Sequence, residues 1–403
     1  MENCADQDGP NQAGVNGPLS ATDFPGGMNL LLVCRDPVWT EAVRAAAHIT
    51  GGDISRCDAR AALTHLAGAG GPYSHLLVHA SCADGLADAF AELTSEAAGA
   101  GTEMLMLGGV PAPPRHAGVI PFATCHSVRA ALMPRQGPRD TSRGALPLAE
   151  LRAALDDAMV GVRYQPIVRI NDRAPIALEV LARLDHPDRG IVLPDCFVPQ
   201  IEDAGLAARL TDLVVERTFA DMAGPHLKDC TLPVTVNVPL DVLLHPSSID
   251  RMDARRIAAG IPAHRVILEL TERMPVTDFN ALRLRLDGIR AHGYRVVADD
   301  IAPAVPCLPS LMSMPFSTLK LDKNLAGQLN EDSAVEVFIR TIVRDAHARG
   351  MNIVAEGVET AAVWRRMQDL GVDGAQGFLI ARPLPLAAVP VWLETWPDRA
   401  SFD

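Results

Sequence analysis

Two adjacent carboxylates, Asp299 and Asp300, close the apolar run Arg295-Val296-Val297-Ala298. Acids at the end of a segment bound for the interior are costly to bury unless they are paired or bind a metal. Taken alone, the pair reads as a helix N-cap followed by a first-turn acid. Other apolar runs between Ile176 and Leu379 end in the same way, in Glu179, Asn237, Glu269 with Glu272, Lys320 with Asp322, Glu356 with Glu359, and Gln376. Any one of these alone is a solvated loop residue, but seven such ends in one register point to a shared site. Several carboxylates on one rim repel each other strongly unless divalent cations lie between them. Oxygen ligands with one amide favour Mg²⁺ or Mn²⁺ over zinc. A pair of such ions clamps a phosphodiester, activates a bridging water and stabilises the leaving oxygen. A nearby Lys orients that water or offsets developing negative charge. The chemistry within reach is metal-assisted phosphodiester hydrolysis.

The elements that would position these residues are strands. Apolar runs recur at Val162 to Val168, Ile176 to Leu181, Val234 to Val238, Val266 to Leu270, Arg295 to Ala298, Thr318 to Leu321, Asn352 to Ala355 and Gly377 to Ile380, with helical stretches between most of them. Eight runs in this order predict a TIM-like (β/α)8 barrel, in which function gathers at the C-terminal strand ends. A helix begins this domain, with Leu151, Leu155 and Met159 forming an apolar stripe.

The chain has 403 residues, 48% of them hydrophobic, enough for a sizeable core and two domains. Its formal charge of -13 argues against binding to nucleic-acid polymers or membrane surfaces, which need clustered Lys and Arg. Eight Cys without CxxC or Cys/His spacing signal neither a disulfide framework nor a zinc site, which fits a reducing cytoplasm. No apolar run is long enough to span a bilayer, and residues 1–27, polar and rich in Gly, Pro and Asn, read as a disordered tail.

Between that tail and the barrel, apolar runs at Met28 to Val33, Asp53 to Ser55, Leu76 to Val78, Met104 to Leu107 and Val119 to Ile120 alternate with helical segments such as Val38 to Ala47. This predicts a small parallel α/β domain over 28–133, followed by a Pro/Gly-broken linker at 134–146 and the barrel at 147–403. Its element order resembles the response-regulator receiver domain. Of the acids that such a domain implies after its first run, Cys34-Arg35-Asp36 supplies only one, and its phosphorylatable Asp, Ser/Thr and Lys are replaced by His79-Ala80, Gly108-Gly109 and Ile120 to Thr124. It therefore reads as a receiver-like domain without a phosphoacceptor, with His79 a packed strand-end residue.

In the barrel region, Tyr164-Gln165-Pro166-Ile167, Glu179-Val180-Leu181, Val236-Asn237, Glu269-Leu270-Thr271-Glu272, Asp299-Asp300, Leu319-Lys320-Leu321-Asp322, Ala355-Glu356-Gly357-Val358-Glu359 and Gln376-Gly377-Phe378 resemble the EAL-domain family. The resemblance implies hydrolysis of cyclic di-GMP to linear pGpG, on a barrel whose first strand is antiparallel to the rest. It implies that Glu179, Asn237, Glu269 and Asp299 hold one Mg²⁺ or Mn²⁺, with Asp299 bridging and Asp300 helping to hold the second. Lys320 would position the water, and Glu356 would act as general base or second-metal ligand. Gln165, Leu181, Arg183, Glu359 and Gln376 would contact the dinucleotide, Glu272 would tether the loop after the Asp pair, and the family implies a homodimer or higher homo-oligomer. Two positions depart from the pattern. Val180 replaces the signature Ala, and Ile301-Ala302-Pro303-Ala304-Val305-Pro306-Cys307-Leu308 replaces a Gly-rich loop, exchanging flexible residues for Ala and Pro. In this family such loop changes accompany weak catalysis, so the alternative is a poorly catalytic receptor for cyclic di-GMP.

Overall fold

The computed structural model describes residues 28–50, 53–68, 73–83, 85–96, 102–108, 117–120, 128, 131–132, 146–157, 159–187, 189–271, 276, 278–305, 308–329 and 333–399. The expected tail, most of the expected linker and Glu272 lie outside the described residues.

The N-terminal unit is built on β1 (Asn29–Val33), β2 (Asp53–Arg56), β3 (His75–His79), β4 (Glu103–Leu107) and β5 (Gly118–Ile120). All neighbours pair in parallel, in the order β2-β1-β3-β4-β5. Its central strands are apolar on nearly every residue because helices cover both faces: Leu30, Leu32 and Leu77 pack in one cluster, Leu31, Leu76 and Val78 in another. The crossover helices include α1 (Pro37–Thr50), α2 (Ala59–Ala67) and α3 (Ala87–Glu96).

After α4 (Leu148–Asp156), which buries Leu151, Ala154 and Leu155, the chain enters a closed barrel. Its strands are β6 (Val160–Arg169), β7 (Pro175–His186), β9 (Val234–Pro239), β10 (Val266–Thr271), β11 (Arg295–Ile301), β12 (Thr318–Leu321), β13 (Asn352–Ala355) and β14 (Gly374–Ala375), while β8 (Gly190–Val192) extends a hairpin from β7. β6 runs antiparallel to both β7 and β14 and closes the cylinder, while the other barrel pairs are parallel. The first strand is thus antiparallel, as expected. The last expected strand, Gly377 to Ile380, is instead a turn, in which Ile380 and Ala381 N–H groups donate to Gly377 O; the strand lies earlier, at Gly374–Ala375. Among the described residues no helix is long and apolar enough to cross a membrane.

Strand period two sorts the barrel interior into layers. In the lower layer Ile167, Ala177, Thr235, Ile267, Val297, Thr318 and Val354 line a cavity of about 480 Å³. Two residues further along each of these strands, toward the C-terminal rim, stand the acids, Asn237 and Lys320. On antiparallel β6 the step runs backward, from Ile167 to Gln165. The intervening residues, such as Leu178, Val236, Leu268 and Leu319, face outward and are buried beneath the helices.

Candidate metal and phosphodiester site

β6 and β7 set the first side of the site, because their register places Gln165 directly opposite Glu179. Gln376 Nε2 donates to Glu179 Oε2 at 2.6 Å and to Gln165 Oε1 at 2.9 Å, and Gln165 Nε2 donates to Ala381 O at 2.9 Å. Asn237 Nδ2 donates to the other Glu179 oxygen at 3.2 Å. Gln376 is held in place by its neighbour: a Cβ on Gly377 would sit 2.3 Å from Val358 N, so only glycine allows the two backbones to meet.

Lys320 stands at the centre, 1% exposed. Its Nζ lies 3.0 Å from Glu179 Oε2 and 3.5 Å from Asp299 Oδ1, and forms close ion pairs with Glu269 and Glu356. Glu356 follows β13 and is aimed by its N–H bond to Leu321 O at 3.3 Å. The next residue, Gly357, takes φ +66°, and a Cβ there would sit 2.9 Å from Lys323 O.

The acid pair owes its usefulness to a bulge. Adjacent strand residues normally point to opposite faces. Here Ala298 pairs with Leu319 and Ile301 with Leu321, so Asp299 and Asp300 together oppose one residue, Lys320. Asp300 adopts φ +54°, a left-handed conformation that Asp tolerates better than most residues. Oxygens of Asp299, Asp300 and Glu356 consequently come within 4.8 Å of one another, as do those of Glu179, Glu269 and Glu356.

Four carboxylates surround one ammonium, with Asp300 beside them, and the proton equilibria reflect it. Burial pushes Glu356 up to about 8, with Asp299 and Glu179 adding to the push and Lys320 opposing it. Burial and the Asp299 charge push Asp300 up to about 6. Glu269 lies well above the usual range, chiefly through burial. For Glu179 burial also acts upward, but Lys320 and the amides of Gln376 and Asn237 hold it low. Burial disfavours the Lys320 ammonium, yet its carboxylate neighbours hold its proton tightly. Glu269 Oε2 is buried without a hydrogen-bond partner. A hard divalent cation fits such a donor set, because it supplies the missing positive charge and a partner for that oxygen.

The remaining expected residues lie toward the mouth or outside it. Leu181 is half-buried, Arg183 is buried, and Glu359 is exposed on the loop beyond Glu356 and is not drawn into the acid cluster. Asp322 N-caps the helix Lys323–Gln328 by accepting from Asn324 N at 2.7 Å. Arg163 was not foreseen: it shares the inner face of β6 with Gln165, two residues nearer the mouth, and that spacing was the available signal.

Comparison with known proteins gives the EAL domain family over residues 148–383. The chain is 30% identical over 242 residues to the bifunctional diguanylate cyclase/cyclic di-GMP phosphodiesterase MucR of Pseudomonas aeruginosa, covering 59% of this chain and 35% of that protein. It is 30% identical over 248 residues to the cyclic di-GMP phosphodiesterase NbdA of the same organism, covering 61% and 32%. The chain thus spans about a third of the length of these curated relatives. A solved PaMucR phosphodiesterase in complex with c-di-GMP superposes with a TM-score of 0.56 at 30% identity, over 59% of this chain and 97% of that one.

Proposed function

The chain belongs to the EAL-domain family, and on that premise we propose that its barrel hydrolyses cyclic di-GMP to pGpG with Mg²⁺ or Mn²⁺. The observation that carries this reading is the inner layer at the C-terminal rim: Glu179, Glu269, Asp299 and Glu356 converge on Lys320, Asn237 donates to Glu179, and the bulge adds Asp300. Glu179, Asn237, Glu269 and Asp299 would hold one cation, with Asp299 and Asp300 toward a second. Bound there, the cations supply an activated water and neutralise charge on the diester. Lys320 orients that water and offsets negative charge as it develops. Glu356 accepts the water proton. Gln165, Leu181, Arg183, Glu359 and Gln376 seat the dinucleotide, with Arg183 on a phosphate, and Glu272 tethers the loop after the Asp pair.

Incubating the full chain with cyclic di-GMP and Mg²⁺ or Mn²⁺ yields pGpG on this reading; yield no greater than that of a Glu179→Ala control would overturn it. The altered loop favours a second reading, a cyclic di-GMP receptor of low turnover. Ala302 to Val305 form a turn closed by Val305 N–H donating to Ala302 O at 3.1 Å, and Pro303 within it has no N–H to offer. Tight binding by calorimetry with the nucleotide recovered intact favours the receptor.

The N-terminal unit, taken as 28–133, reads as receiver-like without a phosphoacceptor, joined through 134–146 to a barrel at 147–403 in a cytoplasmic homodimer or higher homo-oligomer. It regulates the barrel by packing and not by phosphorylation. Acetyl phosphate labelling of any Asp between Met28 and Met133 would contradict this.

A further inference from the structure

The inner face that carries Gln165 and Glu179 continues toward the mouth of the barrel. The β6–β7 register also pairs Arg163 with Leu181 and Gly161 with Arg183, so both arginines stand on that face as diagonal neighbours. Such neighbours are about 7–8 Å apart at the backbone, within joint reach of one ligand for side chains of this length. Gly161 opposite Arg183 leaves open space, with no atom within 4 Å of where its Cβ would be. In a chain of formal charge -13, two guanidinium groups thus stand just above the carboxylate layer, where a phosphate would be gripped.

Both are covered, however: Arg163 is 8% exposed and Arg183 5%. They line a cavity of about 810 Å³ whose opposite wall carries Asp88, Ala89, Ala91 and Glu92 of α3. Glu92 Oε2 lies 3.2 Å from Arg163 Nη2. A second seam steadies this arrangement, in which α2 meets the C-terminal helix α5 (Ala388–Arg399). There Arg60 pairs with Glu394, Thr64 Oγ1 lies 3.3 Å from Thr395 Oγ1, and Arg382 N–H donates to Ala67 O.

We propose that Arg163 is a further nucleotide-binding residue, and that the Glu92 carboxylate occupies it in place of a ligand phosphate, so that α3 and the nucleotide exclude each other at the barrel mouth. This rests on the reading of the barrel as a cyclic di-GMP site. A carboxylate and a phosphate offer a guanidinium the same kind of anionic oxygens, so one replaces the other without a change in bonding type. The Glu92 side chain is 38% exposed, so on release it returns to water it already touches.

The test uses the full chain with Mg²⁺ and a bis-phosphorothioate analogue of cyclic di-GMP, which resists hydrolysis. Calorimetry gives affinity, and amide hydrogen exchange over 87–96 reports on α3. Glu92→Arg, which sets like charge against Arg163, tightens binding about 5- to 10-fold, at the low end of usual coupling between sites. Arg163→Ala weakens it by a similar factor, and exchange over 87–96 in the unaltered chain quickens as the analogue saturates. Saturable binding with the same Kd in all three proteins and unchanged exchange over 87–96 overturns the proposal and leaves the site reading standing. If the unaltered chain and Glu92→Arg both fail to bind the analogue, the site reading falls, and the proposal with it.

Discussion

Two sets of C-terminal strand ends in this chain have opposite chemistry on similar scaffolds. In both units parallel strands alternate with helices, the arrangement that gathers function at that edge. On the N-terminal sheet the edge residues satisfy one another locally. Asp36 spends its carboxylate on the start of α1, where Oδ1 accepts from Val38 N at 2.8 Å and Trp39 N at 3.1 Å. His79 Nδ1 lies 2.8 Å from Ser81 Oγ, and burial pushes the Cys34 thiol up. On the barrel the edge acids are aimed inward at one buried ammonium, and Glu269 Oε2 is left without a hydrogen-bond partner. An architecture sets where chemistry can occur, and the side-chain register decides whether it does.

The sharpest way to break that contrast is Lys320→Met. It removes the only cation within the acid cluster among the described residues, and on the proposed hydrolysis kcat for pGpG formation falls by about 10²–10³. The metal-free protein also loses about 3–5 kcal/mol, since carboxylates stay buried without their partner. Added Mn²⁺ restores much of that stability, because a ligand of the folded state alone stabilises it by mass action. Denaturant midpoints with and without Mn²⁺ check this, and a variant as stable as the original without metal would refute it. A smaller effect follows from Gly377→Ala, whose Cβ collides with the Val358 backbone. The local shift displaces Gln376, costs about 1–3 kcal/mol as overpacking does, and weakens nucleotide binding in calorimetry.

The barrel was legible because period two leaves a mark in sequence: Thr318–Leu321 and Asn352–Ala355 are bounded as their apolar runs predict, the first carrying Lys320 and the second leading straight to Glu356. The last strand was misplaced because Gly377 to Ile380 is apolar in composition yet turns, its path set by the close approach to Val358. The bulge at Asp299-Asp300 was equally hidden. A pair of acids reads the same whether the chain continues as strand or enters a helix, and only pairing against β12 shows both opposite Lys320. For Arg163 the spacing from Gln165 marks only the inner face, and its partner Glu92 lies on α3, about seventy residues earlier in the chain.

Proton linkage sharpens the same comparison at the barrel end. Carboxyls raised to about 8 at Glu356 and about 6 at Asp300 hold protons that a divalent cation must displace. Apparent Mn²⁺ affinity therefore rises with pH, about 50- to 100-fold from pH 6 to pH 8, given a tenfold change per unit for each proton released across its titration range. Calorimetry in buffers of different ionisation enthalpy reads the proton release directly, and an affinity flat over that window would count against it.

At the other edge the smallest effect is the most diagnostic. Asp36 is the acid that follows β1, where a receiver domain carries its acids, and its geometry makes it a helix cap. Asp36→Ala then costs about 0.5–2 kcal/mol, the usual loss for a cap. Asp36→Asn or Asp36→Ser recovers most of it, since either side chain offers an oxygen to the same N–H groups. A structural cap responds to hydrogen-bonding capacity alone, whereas an acid held for phosphoryl chemistry or metal binding would respond to charge. Asn that fails to rescue stability, or a Mg²⁺-dependent stabilisation of this unit lost in Asp36→Asn, would therefore show the N-terminal edge to be a working site after all.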